Sequence, residues 1–272
     1  MRILTTALFC FCLTLVFAQE KSASIDLTNW KLELPTGYKA SDWKLSNFQN
    51  DRFVKPFFRL DSLDGSLIME AYPSEGTSSS KYTRNTLREQ MQEGSNDVNW
   101  TLKQGGILTT EFQVTEMSKD ENGKFHRTLL IQIDGKTTEK QNKELGLEKS
   151  VSMPFLKIYW QDESLRITRR VLKDKSTVGD ALLSKDSWEE DDGIYSREKV
   201  GFEKVKIKIE VKKGKLSIFI NDEKPIVLND MSVSQWYFEN YFTVGNYLQS
   251  KDENCRSVVK YFQLEVFHKG KK

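Results

Sequence analysis

The chain contains little cysteine and little histidine. Its 272 residues include three cysteines and only two histidines, His126 and His268. Cys10 and Cys12 lie in an apolar N-terminal stretch, so Cys255 is the only cysteine after it and an internal disulfide is excluded there. Two histidines far apart in sequence and no cysteine cluster give little support for a catalytic zinc site, and we expect no metal.

An excess of charge of either sign is also absent. The sequence has 41 Lys and Arg against 39 Asp and Glu, a formal net charge of +2. This balance gives no general argument for nucleic acid or a membrane surface as a partner, and we expect neither. Affinity for a polyanion would have to come from a local group of basic residues.

Long apolar runs are absent after the first residues. Arg2, the apolar stretch from Ile3 to Phe17 and the small Ala18 form the pattern of a secretory signal peptide. No later run approaches the roughly 20 apolar residues that span a bilayer. We therefore expect a signal peptide at 1–18 and one monomeric domain at 19–272, secreted to the periplasm or the cell exterior.

Short runs rich in β-branched and aromatic residues dominate the rest of the chain. Turn-forming residues bound each run, as in β-strands, and convincing helical periodicity is confined to short pieces such as 233–239. Many strands without intervening helices predict an all-β fold, a sandwich of two antiparallel sheets or a jelly roll. The runs are 67–71, 106–114, 127–133, 155–160, 165–171, 205–211, 215–221, 241–249 and 258–267.

Two polar segments interrupt this pattern, at 136–149 and 174–198. The first directly follows a predicted strand, so it is either a lid beside a site or a surface excursion. The second is more acidic and is interpreted as another surface excursion.

The run at 241–249 has polar groups at alternate positions. Period-two alternation places the polar side chains of this strand on one face and its large apolar side chains on the other. Gly245 leaves a gap where a ligand could approach the backbone. The polar face fits the floor of a binding site, or an ordinary solvated strand face. Its members are Tyr241, Thr243, Tyr247 and Gln249, opposite Phe242, Val244 and Leu248.

Two other predicted strands have polar faces. Arg84, Thr86 and Arg88 share one face about 7 Å apart, a spacing at which two guanidiniums can bind carboxylates along a polymer, or serve only as surface charge. Gln132 and Asp134 share the face opposite the apolar Leu129, Ile131 and Ile133. Lys157 and Tyr159, on one face of a further strand, either reach the same site or are simply exposed.

These segments together resemble polysaccharide lyase family 7, the alginate lyases. The matches follow the family's order and span nearly the whole chain after the signal peptide. Residues 25–35 are similar to its Asp-Leu-x-x-Trp-x-Leu-x-Leu-Pro strand, 84–89 to its Arg-Ser/Thr-Glu-Leu-Arg-Glu, 132–134 to its Gln-Ile/Val-His, 241–249 to its Tyr-Phe-Lys-Ala-Gly-x-Tyr-x-Gln, and 260–266 to its last strand.

The resemblance implies a β-jelly-roll with a concave groove that cleaves an acidic polysaccharide by β-elimination without a metal or cofactor. By position, Arg84 and Gln132 would neutralise the uronate carboxylate, and Tyr247 would donate a proton to the leaving oxygen and also act as base. The remaining groove residues would bind substrate: Arg88, Thr86, Tyr241, Thr243, Gln249 and Lys157.

Three positions depart from the family pattern: its histidine is Asp134, the glutamate between its arginines is Thr86, and its lysine is Thr243. An ionised Asp134 would repel a uronate carboxylate, so it must be neutral, aimed elsewhere, or itself the base. In mannuronate the C5 proton and the C4 oxygen lie on the same side, within reach of one tyrosine. The hypothesis is a lyase that uses Tyr247 on mannuronate-rich alginate or on a glucuronan-like polymer.

Two rival functions remain open on the sequence. Loss of activity with retained binding would give a non-catalytic protein for acidic polysaccharides. A glycoside hydrolase on a similar sandwich would need two carboxylates facing across the groove, and the sequence shows no evident partner for Asp134.

Overall fold

Two antiparallel sheets packed around an apolar core form the fold, which confirms the predicted all-β sandwich. The computed structural model describes residues 25–35, 51–73, 82–228, 230 and 232–270, so the expected signal peptide lies outside the described residues. The nine-stranded sheet has the order β1-β4-β15-β7-β8-β9-β10, with β5 beside β15 and β11 beside β9. The seven-stranded sheet has the order β14-β13-β12-β6-β16-β3-β2.

Each of the nine predicted runs is a strand, with bounds that differ by a few residues. The nine-stranded sheet contains β1 (Trp30–Glu33), β4 (Arg84–Glu89), β5 (Trp100–Thr101), β7 (Thr128–Lys136), β8 (Ser152–Gln161), β9 (Ser164–Leu172), β10 (Trp188–Glu190), β11 (Ile194–Tyr195) and β15 (Glu239–Leu248). The other sheet contains β2 (Phe58–Leu60), β3 (Leu67–Ala71), β6 (Gly106–Met117), β12 (Val205–Lys212), β13 (Lys215–Ile220), β14 (Ile226–Leu228) and β16 (Ser257–Phe267).

The polar segment at 136–149 is partly helical, and its role as a lid stays a prediction. It contains the helix α1 (Glu139–Glu144), which begins with a capping box. The Thr138 hydroxyl accepts a hydrogen bond from the Gln141 backbone, and the Gln141 side chain accepts one from Thr138 N at 2.8 Å. The Thr-x-x-Gln spacing is the sequence signal for this start, but six residues are too few to show helical periodicity. The helical piece expected near 233 is a 3₁₀ turn, Ser232–Gln235.

The acidic segment at 174–198 is also not a simple excursion. Two 3₁₀ turns, Gly179–Leu183 and Lys185–Ser187, lead into β10, and β10 and β11 both pair with β9. The segment therefore extends the nine-stranded sheet at its outer edge.

Asn246 holds the central strand of this sheet against the opposite sheet. It lies on the core face of β15 and is fully buried. Its amide nitrogen donates to the carbonyls of Met69 and Ser257, each at 3.0 Å, and its oxygen accepts from the hydroxyls of Thr128 and Ser257, each at 2.7 Å. All its hydrogen-bonding groups are paired, so this buried amide fixes β15 relative to β3, β7 and β16.

Gly245 does not provide the gap that the sequence suggested. A Cβ atom at this position would lie 2.4 Å from the Asn85 carbonyl oxygen and 2.6 Å from Thr86 Cα. Its φ of 154° is also one that side-chain-bearing residues rarely adopt. The glycine is required by the close approach of β4, which occupies the space that a Cβ atom would take.

His268 is buried, although it lies close to the end of the sequence. Only 2% of its surface is exposed. Its Nε2 lies 2.6 Å from Glu89 Oε1, and its Nδ1 lies 2.9 Å from the Gly105 carbonyl oxygen. The other oxygen of Glu89 accepts from Trp100 Nε1 at 2.9 Å and from Phe242 N at 3.0 Å. The cluster joins the end of β16 to β4 and β15.

We predict that His268→Gln lowers the free energy of unfolding by about 3 kcal/mol, because it leaves the buried Glu89 carboxylate without its histidine partner. Urea unfolding followed by tryptophan fluorescence measures this change. The control is Lys199→Gln, which removes an ion pair with Glu163 at 3.0 Å from a lysine side chain that is 70% exposed. We expect that control to cost less than about 1 kcal/mol. Equal stability of the two variants would contradict the structural role of His268.

Candidate active site

Strands β15 and β4 bring the predicted tyrosine and arginines together. Tyr247 lies directly opposite Arg84, Gly245 opposite Thr86, and Thr243 opposite Arg88. Directly paired residues project to the same face, with Cβ atoms about 5 Å apart. These side chains therefore share the face that points away from the core, called here the site face.

Strand β7 adds the amide and the acid on the other side of β15. Tyr241 lies opposite Asp134, and Thr243 lies opposite Gln132. Gln132 in turn lies opposite Lys157 of β8. The structure thus brings the residues that the sequence proposed on β4, β7, β8 and β15 to one face of four adjacent strands.

Arg84 is held by two neighbours at the exposed edge of this cluster. Its Nη2 lies 2.5 Å from Glu33 Oε2, and its Nε donates to the Thr86 hydroxyl at 2.8 Å. Burial lowers the pKa of Arg84, but the negative charges of Glu33 and Asp134 act the other way and leave it above its ordinary value. The guanidinium carbon lies 5.9 Å from the centre of the Tyr247 ring. A fixed cation therefore stands beside the candidate proton-transfer group.

Arg88 is buried and bonded to the protein. Its guanidinium donates to the carbonyl oxygens of Glu89 and Asn96, and to the side-chain oxygens of Asn96 and Asn99, at 2.9–3.1 Å. Its guanidinium carbon lies 3.9 Å from the centre of the Tyr241 ring. Burial is also the largest cause that raises the pKa of Tyr241 above its ordinary range. In this structure Arg88 supports Tyr241 from beneath.

Asp134 is an acid in a desolvated position. Its Oδ2 accepts from the Thr243 hydroxyl at 3.0 Å, and its Oδ1 accepts from Gln132 Nε2 at 3.3 Å. Burial raises the pKa of Asp134 to about 6, and the Glu33 charge adds to this, although Arg84, Arg88 and the Thr243 hydrogen bond oppose it. The group can therefore change its charge close to neutral pH.

Glu33 is the site residue that the sequence argument did not identify. It lies at the end of β1, directly opposite Thr86, and its charge acts on Asp134. Asp134 thus has a second carboxylate near it, contrary to the sequence interpretation. Alternation in β1 puts Glu33 on the face away from the buried Trp30 and Leu32, but nothing in the sequence shows that β1 pairs with β4.

Lys157 forms an ion pair with Glu190 of β10, which ties it to the acidic segment. Further along β8, Tyr159 is opposite Leu129, and Leu129 is opposite Tyr247. Bulges in β7 shift the register there, so Leu129 is on the site face instead of sharing the core face with Ile131 and Ile133. Burial is the largest of the causes that raise the pKa of Tyr159 to about 12.

Gln249 lies one residue beyond β15, and its backbone N–H donates to the Arg127 carbonyl oxygen at 2.9 Å. Its side chain donates to the Tyr247 carbonyl oxygen at 3.0 Å. This contact supports the backbone next to Tyr247.

Exposure divides the cluster into two layers. Thr86, Gln132, Asp134 and Thr243 each expose less than a tenth of their surface, at 2%, 8%, 6% and 1%. The side chains of Arg84 and Glu33 expose 26% and 29%, and Tyr247 is half-buried. An incoming ligand therefore meets the exposed layer first, with Asp134 and its hydrogen-bond partners behind it.

The described ranges contain no group of three or more His, Cys, Asp or Glu residues arranged to hold a metal ion. Within the same ranges, no helix is long and apolar enough to cross a membrane. The remaining histidine, His126, contacts Asp252, with its Nε2 3.3 Å from a carboxylate oxygen of that residue.

Several solved structures share this fold. A variant of the family 7 alginate lyase A1-II′ in complex with product (GGG) is 20% identical, with a TM-score of 0.67 over 91% of this chain and 99% of that chain. A second A1-II′ variant, in complex with substrate (GGMG), is 19% identical, with a TM-score of 0.65 over 89% and 93%. An alginate lyase from Pseudomonas aeruginosa is 18% identical, with a TM-score of 0.63 over 90% and 100%.

No curated protein sequence matches the chain significantly. A family model described as alginate lyase, however, matches residues 25–268, which includes every strand of both sheets and the whole site cluster. The chain therefore belongs to the alginate lyase family of polysaccharide lyases.

Proposed function

We propose that this protein cleaves a 4-linked uronan, either mannuronate-rich alginate or a glucuronan-like polymer, by β-elimination. The observation that carries the proposal is the direct opposition of Tyr247 and Arg84 on the exposed layer of the site face. In a uronate, C5 carries the carboxylate and is bonded to C4, which carries the leaving oxygen. A cation that binds the carboxylate must therefore lie next to the group that transfers protons. Arg84 and Tyr247 lie next to each other in this way.

The residues divide the reaction between them. Arg84, with Gln132, neutralises the carboxylate, so that the C5 proton becomes more acidic and the enolate-like intermediate is stabilised. Tyr247 takes the C5 proton, the electron pair forms the C4=C5 double bond, and the C4–O bond breaks. The leaving oxygen then receives a proton from Tyr247. The product carries an unsaturated sugar at its new non-reducing end, and no oxidant or water is consumed.

Asp134 limits the site by its charge. Glu33 already balances Arg84, and Arg88 is bonded within the protein, so an ionised Asp134 leaves little net positive charge for a substrate carboxylate. A neutral Asp134 removes this repulsion and can donate a hydrogen bond. We therefore assign the neutral form to the productive complex.

The absence of a histidine from the site cluster supports the substrate preference. In mannuronate one tyrosine reaches both the C5 proton and the C4 oxygen from the same side. In guluronate the proton leaves from the opposite face, where a separate base is needed. With Tyr247 as the only proposed base, guluronate blocks are the poorer substrate.

Separate block polymers test the function. We predict that the protein forms unsaturated product from mannuronate blocks or glucuronan much faster than from guluronate blocks. Absorbance of the new double bond measures the rate. Fast cleavage of pure guluronate blocks would refute the substrate assignment, and absence of unsaturated product from every uronan would refute the lyase proposal.

Tyr247→Phe separates a lyase from a binding protein. We expect kcat to fall by about 10³-fold while uronan binding, measured by calorimetry, persists, because the change removes only the hydroxyl that transfers protons. Tyr195→Phe is the matched control, since Tyr195 is 46% exposed on β11. Unchanged turnover in Tyr247→Phe would remove Tyr247 from the mechanism. Binding by a wild-type protein that forms no product would favour the non-catalytic alternative.

Asp134→Asn tests the role of the buried acid. We expect the variant to remain active. The ratio of its kcat/KM to that of wild type should rise roughly tenfold as pH increases through about 6, because wild-type Asp134 becomes negative there. Because the pKa of Asp134 is raised in the folded protein, ionisation of this residue lowers the stability of the wild type as pH rises from about 4 to about 6. The variant should therefore be more stable at pH 8, by on the order of 3 kcal/mol, and equal at pH 4.

Rate profiles and thermal unfolding at both pH values measure these effects. Complete loss of activity in Asp134→Asn, with its fold intact, would identify Asp134 as the base instead.

A further inference from the structure

Glu33, Thr86 and Arg84 form a closed group in which each side chain contacts the other two. Glu33 Oε2 is 2.5 Å from Arg84 Nη2, and Thr86 Oγ1 accepts from Arg84 Nε at 2.8 Å. The Thr86 hydroxyl donates in turn to Glu33 Oε2 at 3.4 Å. Nε and Nη2, which share one edge of the guanidinium, are therefore held by side chains from two strands, which restricts rotation of a side chain that otherwise has many rotamers.

We propose that Glu33 is a positioning residue that orients the Arg84 guanidinium for the substrate carboxylate, and that this orienting carboxylate can be moved across the strand pair to position 86. The inference rests on the proposed function, since it assigns Arg84 the substrate carboxylate. Glu33 itself acts through Arg84.

The register of β1 and β4 makes the exchange possible. Glu33 and Thr86 are direct cross-strand partners, so their Cβ atoms stand about 5 Å apart on the site face. Thr86 is two residues from Arg84 on β4 and shares its face. A glutamate at 86 would thus start on the same side of the sheet as Arg84. The sequence resemblance points to the same pair, because Thr86 occupies the place of the family's glutamate.

Glu33 reduces the positive charge of the site. The Glu33 carboxylate offsets the Arg84 charge and also acts on Asp134. A group that weakens the positive field of the site must contribute something else if it serves the reaction. Orientation is what its geometry supplies, because among the described residues the hydrogen bonds of Arg84 use Nε and Nη2, and Nη1 is left to face a ligand. The effect of Glu33 on the orientation of Arg84 therefore outweighs its weakening of the positive charge at the site.

An exchange of the two residues tests the proposal. The variants are Glu33→Thr, Thr86→Glu and the double variant with both changes, and Glu33→Gln gives a near-isosteric loss of charge. Glu33→Thr should lower kcat/KM by roughly 30-fold, mostly through kcat, because Arg84 contributes mainly to the transition state. Thr86→Glu alone should also be slow, since two carboxylates then surround Arg84. The double variant should recover to within about threefold of wild type.

Glu116→Thr is the control. It also removes a carboxylate from an ion pair with an arginine, Arg256, but on the seven-stranded sheet, and it should leave kcat/KM unchanged. Contacting residues need not have additive effects on stability, so urea unfolding of each variant is measured as well. A kcat that recovers in the double variant without following the free energy of unfolding separates positioning from a merely structural role.

The NMR signal of the Arg84 Nη2–H protons, which face Glu33, gives a readout that needs no turnover. We expect a slowly exchanging signal in wild type and the double variant, and fast exchange in Glu33→Thr and Glu33→Gln. The positioning role would be overturned if Glu33→Thr and Glu33→Gln both kept the kcat/KM of wild type. It would also be overturned if the kcat/KM of the double variant were no higher than that of Glu33→Thr. If wild type cleaves no uronan, the proposed function fails, while the NMR series still decides whether Glu33 fixes Arg84.

Discussion

The register of β15 between β4 and β7 is the constraint on which the site depends. It sets Tyr247 opposite Arg84 and Tyr241 opposite Asp134, and a shift by one residue would send these side chains to the core. Asn246 opposes such a shift, because its buried amide can make its four hydrogen bonds only in this position. Asn246 thus anchors the neighbouring Tyr247, the proposed proton donor, from the opposite face of the same strand.

Charge is the second constraint. Two arginines and two carboxylates lie within one small cluster, and only Arg84 and Glu33 reach the exposed layer. Arg88 is bonded to Asn96 and Asn99 and supports Tyr241, so in the proposed mechanism a substrate carboxylate depends mainly on Arg84. In that mechanism the charge of the buried Asp134 determines how much positive charge remains. The proposed site thus binds a polyanion through one well-oriented cation instead of through a broad basic surface.

The sequence predicted the features that follow from period-two alternation. The strands and the shared faces of Arg84 and Arg88, and of Tyr241 and Tyr247, need only local spacing. Features that depend on distant strands could not be predicted in this way. Glu33 enters the site because β1 pairs with β4, and His268 is buried because β16 ends beside Glu89.

Irregular backbone accounts for the other differences between sequence and structure. Leu129 changes face because β7 contains bulges, and Gly245 is required by the approach of β4, 2.4 Å from where its Cβ would stand. Alternation alone cannot indicate either feature, since both depend on which strand lies alongside.

The most direct test of the central claim is a crystal structure of the Tyr247→Phe protein with a mannuronate oligomer. The account predicts one sugar carboxylate within hydrogen-bonding distance of Arg84, with C5 and the C4 oxygen of that sugar both facing residue 247. An ordered oligomer elsewhere on the protein, or one whose carboxylates all point away from Arg84, would contradict it.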